Sequence, residues 1–307
     1  MSKELIKPNH PNTKAIVAGN TLEFRAYDHR NTQANIKKIS KTEYVNISTG
    51  EIKQFENKAV KRTDNLASLR STFEKMRWII NSNFTGGKSE LWITLTYAAN
   101  MTDEKQLSHD MDVFLKRLKR YVKREIAFIY IPEPQGRGAW HVHMLVKAVD
   151  KKKFYIDPND LSEIWGHGFV KLRRPTMADN LGAYLTAYLG DMPLSEVESL
   201  GMAYKQDMVQ VKGAKGHQKK FVKGARLSLY PAGMKYFRTS HNLRKPTIIK
   251  FAVKFAVMQQ FGFDGLVPRH TDDYTFEYKD REGETVTSHV ITEQYNRADK
   301  KRLVRAS

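Results

Sequence analysis

Two long segments of the chain repeat apolar residues at intervals of three and four, the period of an amphipathic helix. The first segment runs from Asn65 to Ile80, and the second follows Thr102-Asp103, a pair that suits a helix N-cap. The apolar face of the second helix would consist of Leu107, Met111, Phe114, Leu115, Leu118 and Val122. We predict shorter helices over residues 158–165 and from about residue 177 to residue 189.

Four other segments have the alternating pattern or the apolar content of β-strands: residues 90–97, 126–131, 140–149 and 168–172. The second and third strands are separated by eight residues rich in Gly and Pro. A parallel crossover needs a longer connection, so we expect these two strands to pair antiparallel. The pattern therefore predicts an α+β fold with a central antiparallel sheet and helices packed on it.

We divide the chain into three regions. Residues 66–245 form the main domain, residues 1–65 an N-terminal extension, and residues 246–307 a C-terminal accessory segment. The extension contains a short hairpin over residues 15–27, whereas residues 28–62 are polar and irregular. Whether the extension is a separate module or a sheet extension is left open. The accessory segment has two predicted strands within residues 271–290.

Charge narrows the class of partner. The 307 residues include 52 Lys and Arg but 33 Asp and Glu, a formal net charge of +19, and no cysteine. Such a surplus favours nucleic acid first and an anionic membrane surface second. The missing cysteines exclude disulfides, Cys-type zinc sites and thiol nucleophiles. Hydrophobic residues make up 40% of the chain, which excludes a mainly disordered protein.

Membrane segments are not predicted. The N-terminus lacks the apolar core of a secretory signal, and no stretch approaches the ~18 apolar residues of a bilayer-spanning helix. The most apolar run, residues 248–258, is interrupted by Lys250 and Lys254 and fits a helix and a strand about equally well. We interpret it as a packed element rather than as a basic membrane-surface helix, and predict a cytoplasmic protein with no membrane partner.

Residues 205–250 are the most basic segment, with twelve Lys and Arg against Asp207 alone, interleaved with aromatic residues. Solvated loops around buried aromatics are one interpretation. Contact with nucleic acid phosphates and base stacking is the other, and the overall charge favours it.

The strongest candidate for chemistry is the pair His141 and His143. Side chains two apart on a strand share a face, so both imidazoles can bind one divalent ion. Such a pair also occurs by chance in satisfied strand positions. Glu133, just past the end of the preceding strand, can supply a third, anionic ligand if the two strands form a hairpin. Two imidazoles and one carboxylate leave open positions, and phosphate chemistry then favours Mg²⁺ or Mn²⁺.

Tyr184 and Tyr188 lie four residues apart in a predicted helix, so both hydroxyls would emerge on one face. An aromatic stripe that docks the helix on the sheet is the alternative interpretation. Tyrosine is also a covalent nucleophile, and a metal-polarised phosphate is an electrophile that it can attack.

Together these motifs resemble the HUH endonucleases, and more narrowly the rolling-circle replication initiators of small bacterial plasmids and phages. The shared features are His-hydrophobe-His on a strand, the upstream Glu133, and Tyr-x-x-x-Tyr some forty residues later. Residues 93–97, Ile-Thr-Leu-Thr-Tyr, resemble the family's first motif. The resemblance covers roughly residues 66–245, including residues 230–236 and 238–241. It implies the RRM-like, or ferredoxin-like, palm of that family.

The resemblance implies a mechanism. His141, His143 and Glu133 would hold Mn²⁺ or Mg²⁺, and a tyrosine would cut single-stranded DNA at an origin stem-loop. The products would be a 5′-phosphotyrosine and a 3′-hydroxyl primer, and strands would be rejoined at termination. Many relatives carry Lys three residues after the nucleophile, where this chain has Ala187 or Asp191. Another cation, such as Lys147 or Lys171, would replace it, and we slightly prefer Tyr188 as the nucleophile.

The predicted partners follow. A host polymerase would extend the primer and a host helicase would open the duplex, because Gly86-Gly-Lys-Ser89 has Ser82 where a P-loop needs Gly and precedes a strand. The predicted DNA contacts are Thr96, Lys147, Lys171, Arg173, Arg174, Lys219, Lys220, Arg226, Lys235, Arg238 and Arg244.

Two alternatives are kept. A conjugative relaxase or single-strand transposase of the same superfamily would use the same chemistry, although relaxases usually place the tyrosine before the histidines. A non-enzymatic DNA-binding repressor would have a satisfied histidine pair and no metal dependence.

Overall fold

The computed structural model describes residues 4–29, 36–40, 42–55, 66–175, 180–183, 185, 191–200, 208–212, 218–222, 224–231, 233–279 and 284–300. The chain separates into two compact units, one formed by Met1–Lys58 together with Pro246–Ser307 and the other by Ala59–Lys245. Each unit is described by itself.

The helices and strands follow in chain order. They are β1 (Thr13–Ala18), β2 (Thr21–Tyr27), β3 (Ile36–Lys38), β4 (Glu43–Asn46), β5 (Ile52–Gln54), α1 (Leu66–Asn83), β6 (Glu90–Tyr97), α2 (Glu104–Val122), β7 (Ile126–Pro134), β8 (Trp140–Ala148), α3 (Pro158–Trp165), β9 (Gly168–Arg173), β10 (Met192–Pro193), α4 (Leu194–Ser199), β11 (Met208–Lys212), β12 (Gln218–Val222), a 3-10 helix (Ala225–Leu229), β13 (Arg238–Thr239), β14 (Thr247–Lys250), α5 (Lys254–Gln260), β15 (His270–Lys279) and β16 (Thr285–Asn296). Residues 181–183 and 185 are also helical.

The central sheet of the Ala59–Lys245 unit has five antiparallel strands in the order β13-β7-β8-β6-β9. Helices pack on it, so the predicted α+β fold is confirmed. The local signals also hold at α2, which begins after Asp103. The Asp103 carboxylate accepts hydrogen bonds from the backbone N–H groups of Lys105 and Gln106. Such a cap satisfies donors that the first turn of a helix leaves unpaired.

Strand parity separates the two faces of this sheet. Side chains such as Tyr97 and Met144 lie on the α2 face, where the Tyr97 hydroxyl donates to Asp110 of α2 over 2.8 Å. Lys147 has the opposite parity, shared with His141 and His143, and its ammonium donates to the backbone oxygen of Asn83 in α1 over 2.9 Å. The sheet therefore has α2 on one face and the end of α1 on the histidine face.

The α2 face forms the larger part of the core. Leu107, Met111, Phe114 and Leu118 of α2 are buried, and Val142 and Met144 of β8 are fully buried against them in one cluster. Burial of each such side chain contributes about 1.5–3 kcal/mol before entropy is counted. This packing fixes the rotation of β8 about its own axis, and thereby the direction in which its two histidines point.

Strand β7 is longer than its pattern predicts, and Glu133 lies inside it rather than past its end. Pro132 and Pro134 have no N–H group, so sequence rules demote this stretch from a strand. The prolines are tolerated because β13 pairs with β7 only at Tyr130 and Ile129. On the unpaired edge, the Pro132 oxygen accepts from the Tyr230 hydroxyl over 2.6 Å, and the Pro134 oxygen accepts from Arg226 over 3.1 Å.

Two small sheets complete the described elements outside the two large sheets. Strands β3, β4 and β5 form one of them, which contradicts the prediction that residues 28–62 are irregular. Each strand has only three or four residues, too few for periodicity to register. Strands β10, β12 and β11 form the other, in that order.

The unit of the two chain ends is built on a second five-stranded sheet, in the order β14-β1-β2-β16-β15. The predicted hairpins are present as β1–β2 and β15–β16. The run from residue 248 to 258 divides between β14 and α5, so both of its periodicities are used. The N-terminal and C-terminal regions, treated separately above, thus share one sheet. Among the described residues, no helix is long and apolar enough to cross a membrane.

Candidate metal centre and nucleic-acid groove

The register of three neighbouring strands builds the candidate site. Glu133 of β7 and Thr96 of β6 lie directly opposite His141 of β8, one on each side. In the next row on the same face, Thr94 of β6 lies opposite His143. Because directly opposed residues have their Cβ atoms about 5 Å apart, both rows present their side chains at one place on the sheet.

Glu133, His141 and His143 come together at this place. One ligand atom from each of them lies within 4.8 Å of the others, the only such group of three that the described part of the chain contains. Glu133 and His143 are buried and His141 is half-buried. The Nε2 atom of His143 is in hydrogen-bond contact with Oε2 of Glu133. The prediction that these three side chains meet is therefore matched by their geometry.

The electrostatics of the group suit a cation. Burial acts to raise the pKa of the Glu133 carboxyl, but the hydrogen bond and charge of His143 and the charge of Arg226 outweigh it, so this pKa lies below its ordinary value. Burial lowers the pKa of the His141 imidazole, and the charges of His143 and Arg137 lower it further, against the opposing effect of Glu133. At neutral pH the site thus has a carboxylate and a neutral His141 nitrogen.

Neighbouring polar groups fix the imidazole rings. Thr94 Oγ1 lies 3.2 Å from Nδ1 of His143, and Nε2 of Gln135 lies 3.2 Å from Nδ1 of His141. A partner on one ring nitrogen sets the tautomer and leaves the other nitrogen to face a ligand.

Arg226 lies inside the site, not on a DNA-facing surface as predicted. It is 6% exposed, and its Nε atom is 2.9 Å from Oε1 of Glu133. Its Nη2 atom donates to Glu196 Oε2 over 3.4 Å, while Glu196 Oε1 accepts from the backbone N–H of Gly136 over 2.8 Å. Its guanidinium thus neutralises two carboxylates and is already engaged.

The donor set fits a divalent cation. Two imidazole nitrogens and one carboxylate oxygen are ligands that Mn²⁺ accepts, and the carboxylate also suits Mg²⁺. Three protein ligands leave coordination positions for a substrate oxygen and water. Glu133, His141 and His143 would hold the ion.

A cleft of about 460 Å³ opens over this group. Its walls include Thr94, Thr96, Phe169, Lys171 and Arg173 beside the three candidate ligands. Lys171 and Arg173 are exposed on β9, opposite Thr94 and Trp92 of β6. Two of the predicted DNA contacts therefore lie at the candidate metal centre, as does Thr96.

The other predicted DNA contacts are dispersed. Lys235 and Arg238 line a separate cavity of about 540 Å³ beside Tyr130 and Met111, on the α2 face of the sheet. Lys147 is half-buried against α1. The Arg174 guanidinium donates to the backbone oxygens of Lys88 and Phe154.

Three further members of that set are known only in part. The backbone N–H of Arg244 donates to Asn83, while its side chain is exposed. Lys220 is exposed on β12, and the side chain of Lys219 lies outside the described part of the chain.

Tyr184 and Tyr188 lie outside the described residues. Their described neighbours pack closely on α1. The backbone N–H of Gly182 donates to Asn81 Oδ1 over 2.7 Å, and a Cβ atom at Gly182 would lie 2.5 Å from the backbone oxygen of Arg77. The tyrosines therefore remain predictions.

Four residues of the site were not predicted as part of it: Thr94, Gln135, Phe169 and Glu196. Thr94 and Gln135 lie two positions from Thr96 and Glu133, so the period of a strand could have pointed to them. Glu196 follows Glu133 by more than sixty residues with no shared pattern, and only the fold brings it close.

Comparison with known proteins gives one match. A family model for replication-associated proteins of the ORF2 type matches residues 90–192, about a third of the chain. The matched segment begins with β6 and includes Glu133, His141 and His143, together with Tyr184 and Tyr188. The match supports a function in replication initiation. No curated protein and no solved structure matches the chain.

Proposed function

We propose that this protein initiates rolling-circle replication by nicking one DNA strand at an origin, as an endonuclease of the HUH type. The proposal rests on one observation: Glu133, His141 and His143 come within 4.8 Å of each other inside the segment that matches the replication-associated family. A repressor has no need of such a ligand set, whereas a nuclease uses it to bind a cation at a phosphate.

A bound divalent cation supplies a Lewis acid that polarises the phosphate and stabilises the charge of the transition state. The chain supplies the rest of the machinery. Thr94 and Gln135 hold the imidazole rings, and Arg226 holds Glu133. Lys171 and Arg173 place positive charge where the DNA backbone would pass.

In the proposed step, the phenol oxygen of Tyr188 or Tyr184 attacks the scissile phosphorus. The bond from tyrosine oxygen to phosphorus forms while the bond from phosphorus to the 3′ oxygen breaks. The phenol proton is lost and the leaving 3′ oxygen gains a proton, so charge balances and no nucleotide energy source is needed. The phosphotyrosine keeps the reactivity of a phosphodiester, and attack by a 3′-hydroxyl reverses the step to rejoin strands.

The packing next to the tyrosines supports this assignment. Gly182, two residues before Tyr184, is bonded to α1, and α1 ends on the sheet face that carries His141 and His143. The overall charge of +19 supports a nucleic acid substrate.

The test is cleavage of the single-stranded DNA of the replicon that carries the gene, labelled at the 3′ side of the cut, in the presence of Mn²⁺. We expect a covalent protein–DNA adduct that survives denaturing electrophoresis. The adduct should disappear with a chelator, with His141→Ala and with the double variant Tyr184→Phe/Tyr188→Phe.

Matched controls separate chemistry from folding. His109 is an exposed histidine of α2 and Tyr155 is an exposed tyrosine, so His109→Ala and Tyr155→Phe should form the adduct as well as the wild type. An adduct that persists in the double tyrosine variant, or cleavage that ignores the chelator, would overturn the mechanism. Binding without any adduct would favour the repressor.

A further inference from the structure

Phe169 is a large apolar side chain in an unusual place. It is 72% exposed, yet it lies in the wall of the cleft that contains the candidate metal ligands. An exposed phenylalanine on a strand has no packing role there, and it keeps an apolar ring in water at the edge of a polar site. Such a ring provides a flat surface for another flat, apolar group.

The backbone holds Phe169 at a defined position. Thr96 of β6 lies opposite Phe169, and His141 lies on the other side of Thr96. The Cβ atom of Phe169 is therefore two strand spacings, about 10 Å, from that of His141. One nucleotide spans a distance of this order between its phosphate and the outer edge of its base.

The glycine before Phe169 keeps this position close to β6. Gly168 has φ +149°, and a Cβ atom there would lie 2.4 Å from the backbone nitrogen of Ala98 and 2.5 Å from the oxygen of Thr96. Only glycine permits so close an approach. The ring is thus attached to a rigid part of the sheet rather than to a loose loop.

Two cations continue the same face of β9. Lys171 and Arg173 follow Phe169 at two-residue intervals, both are exposed and both line the cleft. The Arg173 guanidinium lies over the ring of Trp92, 5.7 Å from its centroid. An aromatic ring followed by two positive charges is the pattern that single-stranded nucleic acid binds, with bases stacked and phosphates neutralised.

We propose that Phe169 is a base-stacking platform that seats one nucleotide of single-stranded DNA beside the metal centre, with Lys171 and Arg173 on the backbone of that strand. The inference rests on the proposed function and specifies how its substrate is held. Phe169 is a positioning residue, because it contacts a base next to the cut and not the reacting phosphorus.

The test measures stacking directly and needs no knowledge of the origin. The probe is a thymidine oligonucleotide of about 16 nucleotides with one 2-aminopurine at its centre, titrated with the full-length protein in Mn²⁺. Stacking on an aromatic ring changes the fluorescence of 2-aminopurine. We expect this change with the wild type and with Phe169→Trp, and its loss with Phe169→Ala.

Affinity gives a second readout. Phe169→Ala should bind the oligonucleotide roughly tenfold to a hundredfold more weakly, the usual cost of one lost stacking contact. Tyr155→Ala, which removes another exposed aromatic ring, should not change affinity or fluorescence. Melting temperatures of the variants should match that of the wild type, because Phe169 is exposed.

The outcomes distinguish this inference from the proposed function. If Phe169→Ala binds and alters the fluorescence as the wild type does while the wild type still forms the covalent adduct, the platform is wrong and the nicking mechanism stands. If the stacking signal depends on Phe169 but no adduct forms, the platform stands as a binding site and the nicking mechanism fails.

Discussion

Arg226 and Glu133 form a buried ion pair at the centre of the candidate site, with Nε of the arginine 2.9 Å from Oε1 of the glutamate. Each of the two residues is less than a tenth exposed. The guanidinium is therefore the protein's own counter-charge for a carboxylate that would otherwise be isolated from water.

Arg226→Ala should lower the free energy of unfolding by about 3–5 kcal/mol, because it leaves a buried carboxylate unpaired. Mn²⁺ should raise the melting temperature of this variant more than that of the wild type, since the added cation replaces the missing charge. Arg226→Lys, which keeps the charge, should lie between the two. Thermal unfolding with and without Mn²⁺ checks this, and equal metal-induced shifts in all three proteins would contradict it.

Thr94→Val should weaken Mn²⁺ binding about tenfold to a hundredfold, because the His143 ring loses the hydroxyl that lies 3.2 Å from its Nδ1 atom. Thr94→Ser keeps the hydroxyl and should restore most of the affinity. Calorimetric titration of the full-length protein measures both values. If valine and serine variants bind the ion alike, the hydroxyl has no part in orienting the ring.

The basic residues on the two faces of the sheet should behave differently. Lys171→Ala/Arg173→Ala should weaken binding of single-stranded DNA and reduce the slope of log affinity against log salt by about 0.7 for each lost phosphate contact. Lys235→Ala/Arg238→Ala removes the same charge from the α2 face. We expect that second variant to form the covalent adduct at the wild-type rate, and a salt series with the nicking assay compares the two. Equal losses would show that the strand does not follow β9.

Tyr230 should limit stability at alkaline pH. Its hydroxyl is buried and donates to the Pro132 oxygen, and burial raises the pKa of this phenol well above its ordinary value. A raised folded-state pKa contributes stability that is complete below the unfolded value of about 10 and is lost as pH rises beyond it.

Urea unfolding between pH 9 and pH 11 tests this assignment. Tyr230→Phe should be less stable than the wild type at pH 7 by about 1–3 kcal/mol, since the Pro132 oxygen loses its partner, but should lose less stability above pH 10. Parallel pH profiles for the two proteins would show that another group controls alkaline unfolding.

Local signals predicted much of the fold. Asp103 caps α2 as its position in the sequence indicates, and the alternation of residues 90–97 corresponds to β6. The pairing of residues 126–134 with residues 140–148 followed from the short loop between them, and that pairing brings Glu133 opposite His141. Each of these inferences uses residues near each other in the chain.

Long-range contacts account for what the sequence did not predict. The tolerance of β7 for Pro132 and Pro134 depends on Tyr230 and Arg226, about a hundred residues later. The burial of Arg226 depends on Glu133 and Glu196, and no spacing rule connects these three positions. A basic residue in a basic segment looks like a surface contact until the fold shows a carboxylate beside it.

The sheet shared by the two chain ends has a consequence for how this protein can be shortened or recombined. Strands β1 and β2 come from one end, and β14, β15 and β16 come from the other. Trimming either terminus removes strands from the same sheet, so both truncations should expose the same buried surface. An exchange that transplants the unit with the candidate metal centre intact therefore needs two breakpoints, one near residue 58 and one near residue 246.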